Sequence, residues 1–398
     1  MQINRAYKYR IYPTKQQEVL LEKHFGSCRF VFNYFLNRRK TAYLENKLTL
    51  NYYDLASELT EIKHKEEYKW LKEVNSQSLQ QALRNLDVAY NNFFTKKNKF
   101  PKFKTKKDNK KSFCVQQSIE IKGNKLSIPK FKEGIKIKQH RSFNGKICFA
   151  TISKTCRNKY FVSIIVEEDY IPKHTNTNNK IGIDVGIKDL VITSNKKKYE
   201  NPKFLEKKQK KLKYNQKQLS KKVKGSNSKN KQRLVLNKYF EKVNNCRSDY
   251  IHKISNQLVR ENQVIIAENL NVKGMMKNHH LAKSIASASW SELFRQLKYK
   301  AEWNNKIFYQ IDRFFPSSKT CNNCGYIKQD LTLDDREWEC PICHTKLDRD
   351  INASMNILKQ GLNDLLNLGL GTKSKSKQKQ VEALSLDESM KPEAPCFS

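Results

Sequence analysis

Three carboxylates and four thiols in this chain have the types and spacing for metal chemistry. Asp184 closes the short apolar run Ile-Gly-Ile-Asp, Glu268 closes Val-Ile-Ile-Ala-Glu, and Asp350 lies at the start of a helical run, Asp-Arg-Asp-Ile-Asn-Ala-Ser-Met-Asn-Ile. A carboxylate at the end of a buried strand is costly to desolvate, and a divalent cation is the usual compensation. Hard oxygen donors suit magnesium, and a pair of such ions suits phosphodiester cleavage. The thiols come as two Cys-x2-Cys pairs, Cys321 with Cys324 and Cys340 with Cys343, with fifteen residues between the pairs. That is the spacing of two knuckles facing each other across a hairpin. Four thiolates would complete a tetrahedral zinc with no open position, so the expected zinc is structural. His344 adjoins Cys343, but four cysteines suffice.

The carboxylates need particular elements to bring them together. In a sheet whose first and fourth strands are neighbours, Asp184 and Glu268 would face each other. The run after Asp350 has an apolar face at Ile351, Ser354, Met355 and Leu358, the i, i+3, i+4, i+7 pattern of a helix packed on such a sheet. Its first turn would then deliver a third carboxylate. Asp348 and Asp350 compete for that role; the reading that Asp348 caps the helix and Asp350 is the ligand is favoured, with both left open. Asp189 reads as a turn residue.

Charge narrows the function classes. The chain has 398 residues, 78 Lys+Arg against 39 Asp+Glu, and a net charge of +39. Self-repulsion on that scale calls for a polyanion, and nucleic acid is the expected partner. A lysine- and asparagine-rich genome bias would raise the bases without halving the acids. Hydrophobic residues make up 38%, enough for more than one core. No apolar leader opens the sequence and no stretch of about 18 apolar residues occurs, so neither a secreted nor a membrane protein is expected. The six scattered cysteines (Cys28, Cys114, Cys148, Cys156, Cys246, Cys396) are expected to be free thiols in a reducing, cytoplasmic setting.

Periodicity sets out the order of elements. A strand is expected from Ala6 to Tyr12, then a helix capped by Thr14 with Gln17 completing a capping box, then a second helix over Ser76 to Phe94. Residues 96–111 hold nine lysines around Phe100, Pro101 and Phe103, a segment suited to following phosphates, with the rings as anchors or stacking platforms. From 113 to 168 the period is two, with Ile119, Ile121, Leu126, Ile128, Ile135, Ile137, Cys148, Ala150, Ile152, Phe161, Ser163 and Ile165 on the apolar side and a hairpin turn at Gly123-Asn124. This predicts a small antiparallel barrel that the first strand could join, making the helices between them an insert. Two strands flank Gly186 to Asp189. A helical hairpin follows, with Leu205, Leu212 and Leu219 on one arm, Leu236, Val243 and Tyr250 on the other, and a break at Lys224 to Asn227. Asn262 to Glu268 is a strand, Gly274 to Ala288 a loop, Trp290 to Trp303 a helix and Lys306 to Phe314 a strand. The last helix runs from Arg349 to about Leu368, and the tail after Gly371 reads as disordered.

Taken together, Gly-Ile-Asp-Val-Gly at Asp184, Ala-Glu-Asn-Leu at Glu268, the cysteine ribbon and the Asp-Arg-Asp-Ile-Asn-Ala run resemble the TnpB family. These are transposon-encoded, RNA-guided DNA endonucleases with a RuvC-like nuclease, related to type V CRISPR effectors. Tyr7 to Pro13, Phe-Pro-Lys-Phe-Lys at 100–104, the segment Phe315 to Cys321 and Val-Glu-Ala-Leu at 381–384 carry the resemblance over nearly the whole chain. The resemblance implies a multi-domain α/β protein. Residues 1–12 and 113–175 would form a β-barrel wedge domain, 13–112 a helical recognition lobe, 176–317 and 346–370 an RNase H-like nuclease, 318–345 the zinc ribbon and 371–398 the tail. It implies Asp184, Glu268 and Asp350 as catalytic residues holding magnesium, two ions being expected, and it favours Asp350 over Asp348. It implies a guide RNA from the element's end and double-stranded target DNA as partners; with no membrane expected, the location is read as cytoplasmic and nucleoid-associated, and the oligomeric state is left open with a monomer favoured. Ser354 stands where the family usually has a second alanine. Two other readings are a nuclease-silent, RNA-guided repressor and an accessory transposition protein that binds element ends without a guide.

Overall fold

The computed structural model describes residues 1–106, 111–172, 177–332 and 334–369. The expected disordered tail, the end of the lysine-rich segment and Cys396 therefore lie outside the described residues. The chain divides into two compact units, the first ending at Tyr170 and the second beginning at Ile171.

The first unit opens with β1 (Gln2–Tyr12), longer than its alternating core suggested because Ile3 is buried as well. Three helices follow: α1 (Lys15–Asn46), α2 (Tyr52–Ile62) and α3 (Ser76–Phe94), with a 3-10 turn over Glu66–Glu73. The box at the start of α1 forms as expected: the Gln17 amide donates to Thr14 Oγ1 and the Thr14 amide donates to Gln17 Oε1. Six strands complete the unit: β2 (Lys111–Val115), β3 (Glu120–Lys122), β4 (Lys125–Ile128), β5 (Phe131–Lys138), β6 (Lys146–Lys154) and β7 (Tyr160–Asp169). They join β1 in one antiparallel sheet, ordered β2-β6-β7-β1-β5-β4-β3. β1 does enter this sheet, lying between β7 and β5. Helices and sheet share one continuous core, from Tyr9 and Ile11 through Leu79 and Leu83 to Ile152 and Val162.

Two expectations are corrected here. The sheet is open: β2 and β3 are its edges and, among the described residues, do not pair, so the strands do not close into a barrel. β7 also faces inward with the opposite parity, burying Tyr160, Val162, Ile164 and Val166 rather than Phe161, Ser163 and Ile165. Its run is apolar on both faces, so alternation alone could not choose the side. Pairing with β1 does, placing Val162 opposite Tyr9 and Ile164 opposite Tyr7.

The second unit is built on a five-stranded sheet, β8 (Lys180–Asp184), β9 (Asp189–Thr193), β10 (Lys198–Glu200), β11 (Val264–Glu268) and β12 (Ile307–Ile311), ordered β10-β9-β8-β11-β12. β8, β11 and β12 run parallel, and β9 and β10 are antiparallel hairpin strands. Between β10 and β11 comes the helical hairpin, α4 (Phe204–Ser220) and α5 (Asn227–Glu261). Of the heptad positions, Leu212, Leu236 and Val243 are buried, and Gln232 Nε2 donates to Asn215 Oδ1 across the pair at 2.9 Å. The segment expected to be a loop is instead α6 (Val272–Met275) and α7 (Ala282–Ala288), because Ile285 and Ala288, three apart, both drop into the core. α8 (Trp290–Trp303) leads into β12. The chain then forms the two short strands β13 (Glu337–Glu339) and β14 (Lys346–Asp348) before α9 (Arg349–Asn367).

The two faces of this sheet carry different cores. Ile181, Ile183, Ile265 and Ala267 pack with α5, α7 and α8. Val264, Ile266 and Ile311 pack with Ile357 and Leu365 of α9. Strand residues alternate sides, so even-numbered positions of β8 and β11 point toward α9.

Candidate metal centres

That parity directs the first two carboxylates. Asp184 and Glu268 are the even-numbered ends of neighbouring parallel strands whose last paired residues are Ile183 and Ala267. Both therefore emerge on the α9 side, at the ends of adjacent strands. α9 approaches closely because Gly182 has no side chain: a Cβ there would stand 2.1 Å from the Ser354 oxygen and 2.8 Å from Leu358 Cβ. At Gly361 a Cβ would meet Ile266 Cγ2 at 2.3 Å. With Ser354 seated over Gly182, the helix turn before it carries Asp350 toward Asp184.

The electrostatics show that Asp184 senses the other two acids. Burial, then the charges of Asp350 and Glu268, push the Asp184 carboxyl up to about 7, against a hydrogen bond from the Val185 amide and the pull of Arg349. Burial also raises Glu268. Arg336 Nη1 lies 3.7 Å from Asp350 Oδ2. Three hard oxygen donors whose negative charge is mutually unfavourable and partly desolvated form a set suited to a magnesium-type cation. Among the described residues, their ligand atoms do not meet the closer spacing reached by the cysteine quartet.

Asp348 has a different job. Its carboxylate accepts from the Asp350 and Ile351 amides, each at 3.0 Å, and so caps α9. Lys198 Nζ pairs with it at 2.7 Å. Burial works against ionisation here, but Lys198 and the helix amides outweigh it and hold this carboxyl below its ordinary value.

The cysteine quartet is built by two matching turns. Cys321 accepts from the Gly325 amide and Cys340 from the His344 amide, each at 2.9 Å. Gly325 and His344 occupy the same place after each pair, with φ of 81° and 51°. Glycine takes that left-handed conformation without cost, which accounts for Gly325. All four sulfurs lie within 4.8 Å of one another. Cys321 and Cys343 are 3.7 Å apart, and Cys324 and Cys340 3.5 Å. A tetrahedron of sulfurs about 2.3 Å from a central zinc has edges of about 3.8 Å, so the quartet fits that ion. Leu331 and Trp338 pack beneath it. His344 stands outside the quartet and faces Glu339.

The first unit carries a basic cavity of about 590 Å³, lined in part by Lys15, Lys23, Arg29, Lys106, Lys111 and Lys154. Glu22 draws Lys111 and Lys154 together, at 2.9 and 2.7 Å. In the lysine-rich segment, Phe100 packs edge-on against Tyr90 and Phe93, which makes it an anchor. Asn33 holds both the amide and the carbonyl of Lys104 at 2.8 Å. Reading the sequence missed four contributors: Gly182, Arg336, Asn352 and Asn356. The signals for three of them were present but faint, a glycine inside an apolar strand and two asparagines one turn apart on a helix. Among the described residues, no helix is long and apolar enough to cross a membrane.

Comparison with known proteins now bears on the whole. Residues 1–47 match a family model described as a helix-turn-helix domain, 163–279 one described as a probable transposase (OrfB, IS605 type), and 290–357 one described as a Cas12f1-like TNB domain. Within 1–47 the structure has a strand followed by one continuous helix. A Streptomyces pristinaespiralis protein named "Putative RNA-guided DNA endonuclease" is 37% identical, the match covering 91% of this chain and 90% of that one. An Escherichia coli K12 protein, "Putative RNA-guided DNA endonuclease InsQ", is 31% identical over 89% of this chain and 92% of its own. A Cas12f1–sgRNA–target DNA complex matches at 14% identity, covering 89% of this chain and 99% of that one, with a TM-score of 0.36, too loose a likeness to assign a fold. Identity at this level over nearly full length, together with the transposase model, shows that the chain belongs to the TnpB (OrfB) family of transposase-related proteins.

Proposed function

We propose that this protein is an RNA-guided DNA endonuclease that hydrolyses phosphodiester bonds at Asp184, Glu268 and Asp350. What supports the reading is that Asp184 and Glu268 end neighbouring parallel strands and Asp350 lies in the first turn of the helix packed over them, in a chain of net charge +39. The mixed five-stranded sheet, ordered β10-β9-β8-β11-β12 with a helix packed on it, supports the RNase H-like nuclease core that the resemblance implies. The division of labour follows the same resemblance: a wedge of 1–12 and 113–175, a recognition lobe of 13–112, a nuclease of 176–317 and 346–370, and a ribbon of 318–345.

Magnesium, when bound by these carboxylates, would supply charge stabilisation at the scissile phosphate and an acidified water. The chain's own residues prepare the place. Asp184 and Glu268 present their carboxyl groups on the α9 face of the sheet. The Val185 amide orients the Asp184 carboxylate through a 2.8 Å hydrogen bond. Asp348 is occupied by the helix amides and Lys198, which leaves Asp350 free of the capping role. The cysteine quartet would hold one structural zinc. A guide RNA would supply sequence by base pairing, and the lysine-rich surfaces would hold the phosphate backbones.

The test begins with protein purified from cells carrying its own locus. Sequencing of the bound RNA should return a discrete transcript from the gene's flank. That complex should cut a matched duplex in magnesium, and Asp184→Ala should bind both nucleic acids without cutting. An RNA-loaded sample inert in both magnesium and manganese would overturn the reading.

A further inference from the structure

The ribbon and the nuclease helix are joined by two buried asparagines that neither metal site uses. Asn352 and Asn356 lie one turn apart on α9 and are almost wholly buried. Asn352 Oδ1 accepts from the Asn322 amide at 2.9 Å, and Asn352 Nδ2 donates to the Thr320 carbonyl at 2.7 Å. One side-chain amide thus grips the backbone on both sides of Cys321. Asn356 Nδ2 donates to the carbonyls of Ser317 and Thr320, at 2.8 and 2.6 Å, and Asn356 Oδ1 accepts from Asn322 Nδ2 at 3.3 Å. At its far end the ribbon runs without a break from β14 into α9.

We propose that Asn352 and Asn356 form a clamp by which the metal-filled cysteine quartet sets the position of α9 and hence of Asp350. They are positioning residues, and the inference rests on the nuclease reading above only where it speaks of cleavage.

The physical reasoning has three steps. Cys321 is the thiol whose flanking peptides the clamp holds, so closing the tetrahedron fixes the Thr320 carbonyl and the Asn322 amide in space. Asparagine reads such a pair with a donor and an acceptor on one rigid plane. The asparagine side chains are buried and both contacts are part-buried, so slippage would leave polar groups shielded from water without a partner. Asp350 lies only two residues before Asn352, within the same helical turn, so an error in α9 is passed directly to the carboxylate. Hydrophobic packing alone would let a helix slide on a sheet; directional hydrogen bonds to a metal-braced loop would not.

The test uses the full RNA-loaded protein and hydrogen–deuterium exchange of peptides covering 350–357, before and after zinc is removed with a chelator. In the parent protein, zinc removal should speed exchange in these turns by at least about tenfold, because local opening is no longer resisted from the ribbon. In Asn352→Ala/Asn356→Ala, zinc content should stay near one per chain. Exchange at 350–357 should already be fast, and it should no longer respond to chelation. Asn352→Asp, which keeps the acceptor and size but loses the donor to Thr320, should fall between them and serves if the double variant is poorly folded. Cleavage by Asn352→Ala should fall by about a hundredfold, the scale of a small displacement at a reacting centre, with DNA affinity unchanged. The clamp is refuted if α9 in the parent ignores zinc removal, or if the variants keep the parent's response. A parent that shows the exchange coupling but never cuts DNA would keep the clamp and sink the nuclease reading; a parent that cuts while α9 ignores the ribbon would do the reverse.

Discussion

The backbone oxygen of Ser354 lies where a side chain on Gly182 would begin, 2.1 Å from the position a Cβ would take. β8 and α9 meet backbone to backbone at that point, and this closeness carries Asp350 toward Asp184. Gly182→Ala should therefore lift the helix and cost about 1–3 kcal/mol, as overpacking in a filled core does. Thermal unfolding should move down and cleavage should fall with it. An alanine variant with the parent's melting point and activity would show that α9 has room to give.

Asp184→Ala should reduce DNA cleavage by at least about a hundredfold, the scale of deleting one electrostatic group at a reacting centre. RNA retention and DNA binding should persist, since these are expected of the lysine-rich surfaces rather than of one carboxylate. Gel-shift and single-turnover cleavage on the same preparation separate the two. Magnesium-dependent cutting by this variant would remove Asp184 from the catalytic set.

Cys324→Ser should lose zinc, from about one ion per chain to near none by elemental analysis, because three thiolates cannot complete the tetrahedron. Protease should then cut within 318–345 before it cuts the five-stranded sheet. Zinc content at the parent level would show that the quartet is not the site.

Lys300 should give the second unit a pH signature. Its ammonium is buried between α5 and α8, donating to Ser255 Oγ at 2.7 Å and to Gln296 Oε1 and the His252 carbonyl at 3.2 Å. Burial lowers it to about 8 from an ordinary 10.5, with Glu292 pulling back up and Arg295 pushing further down. Between these values the unfolded chain holds more protons than the folded one, so the stability contributed at this site rises with pH across that window. Below about pH 8 the charged form carries its full desolvation cost. Lys300→Met removes the titration. The difference in melting temperature, variant minus parent, should therefore decline from pH 7.5 to pH 10. A difference that does not change with pH would mean that Lys300 is solvated in the folded protein.

How much was legible in the sequence varied with the range of the forces involved. The Thr14–Gln17 box, the bounds of Ser76–Phe94 and Trp290–Trp303, and the cap at Asp348 were all readable because neighbours within a turn or two decide them. The cysteine quartet was readable because paired cysteines can be counted, and the candidate acids stood out because a charged residue ending an apolar strand is conspicuous. The helix Ala282–Ala288 was missed because its polar sequence hides two core contacts that exist only once Ile285 and Ala288 have somewhere to go.

Sequence alone thus determined which residues could bind metal, most of the segments that form helices and strands, and that a polyanion is the partner to expect; local propensity, periodicity and summed charge carry that information. Tertiary structure alone decided the inward face of β7, the open edges of the first sheet, the near-contact of Gly182 with Ser354 and the grip of Asn352 on the backbone around Cys321. Each of these depends on partners far apart in the chain, and no local pattern specifies which partner a strand edge, a glycine or a buried amide will meet.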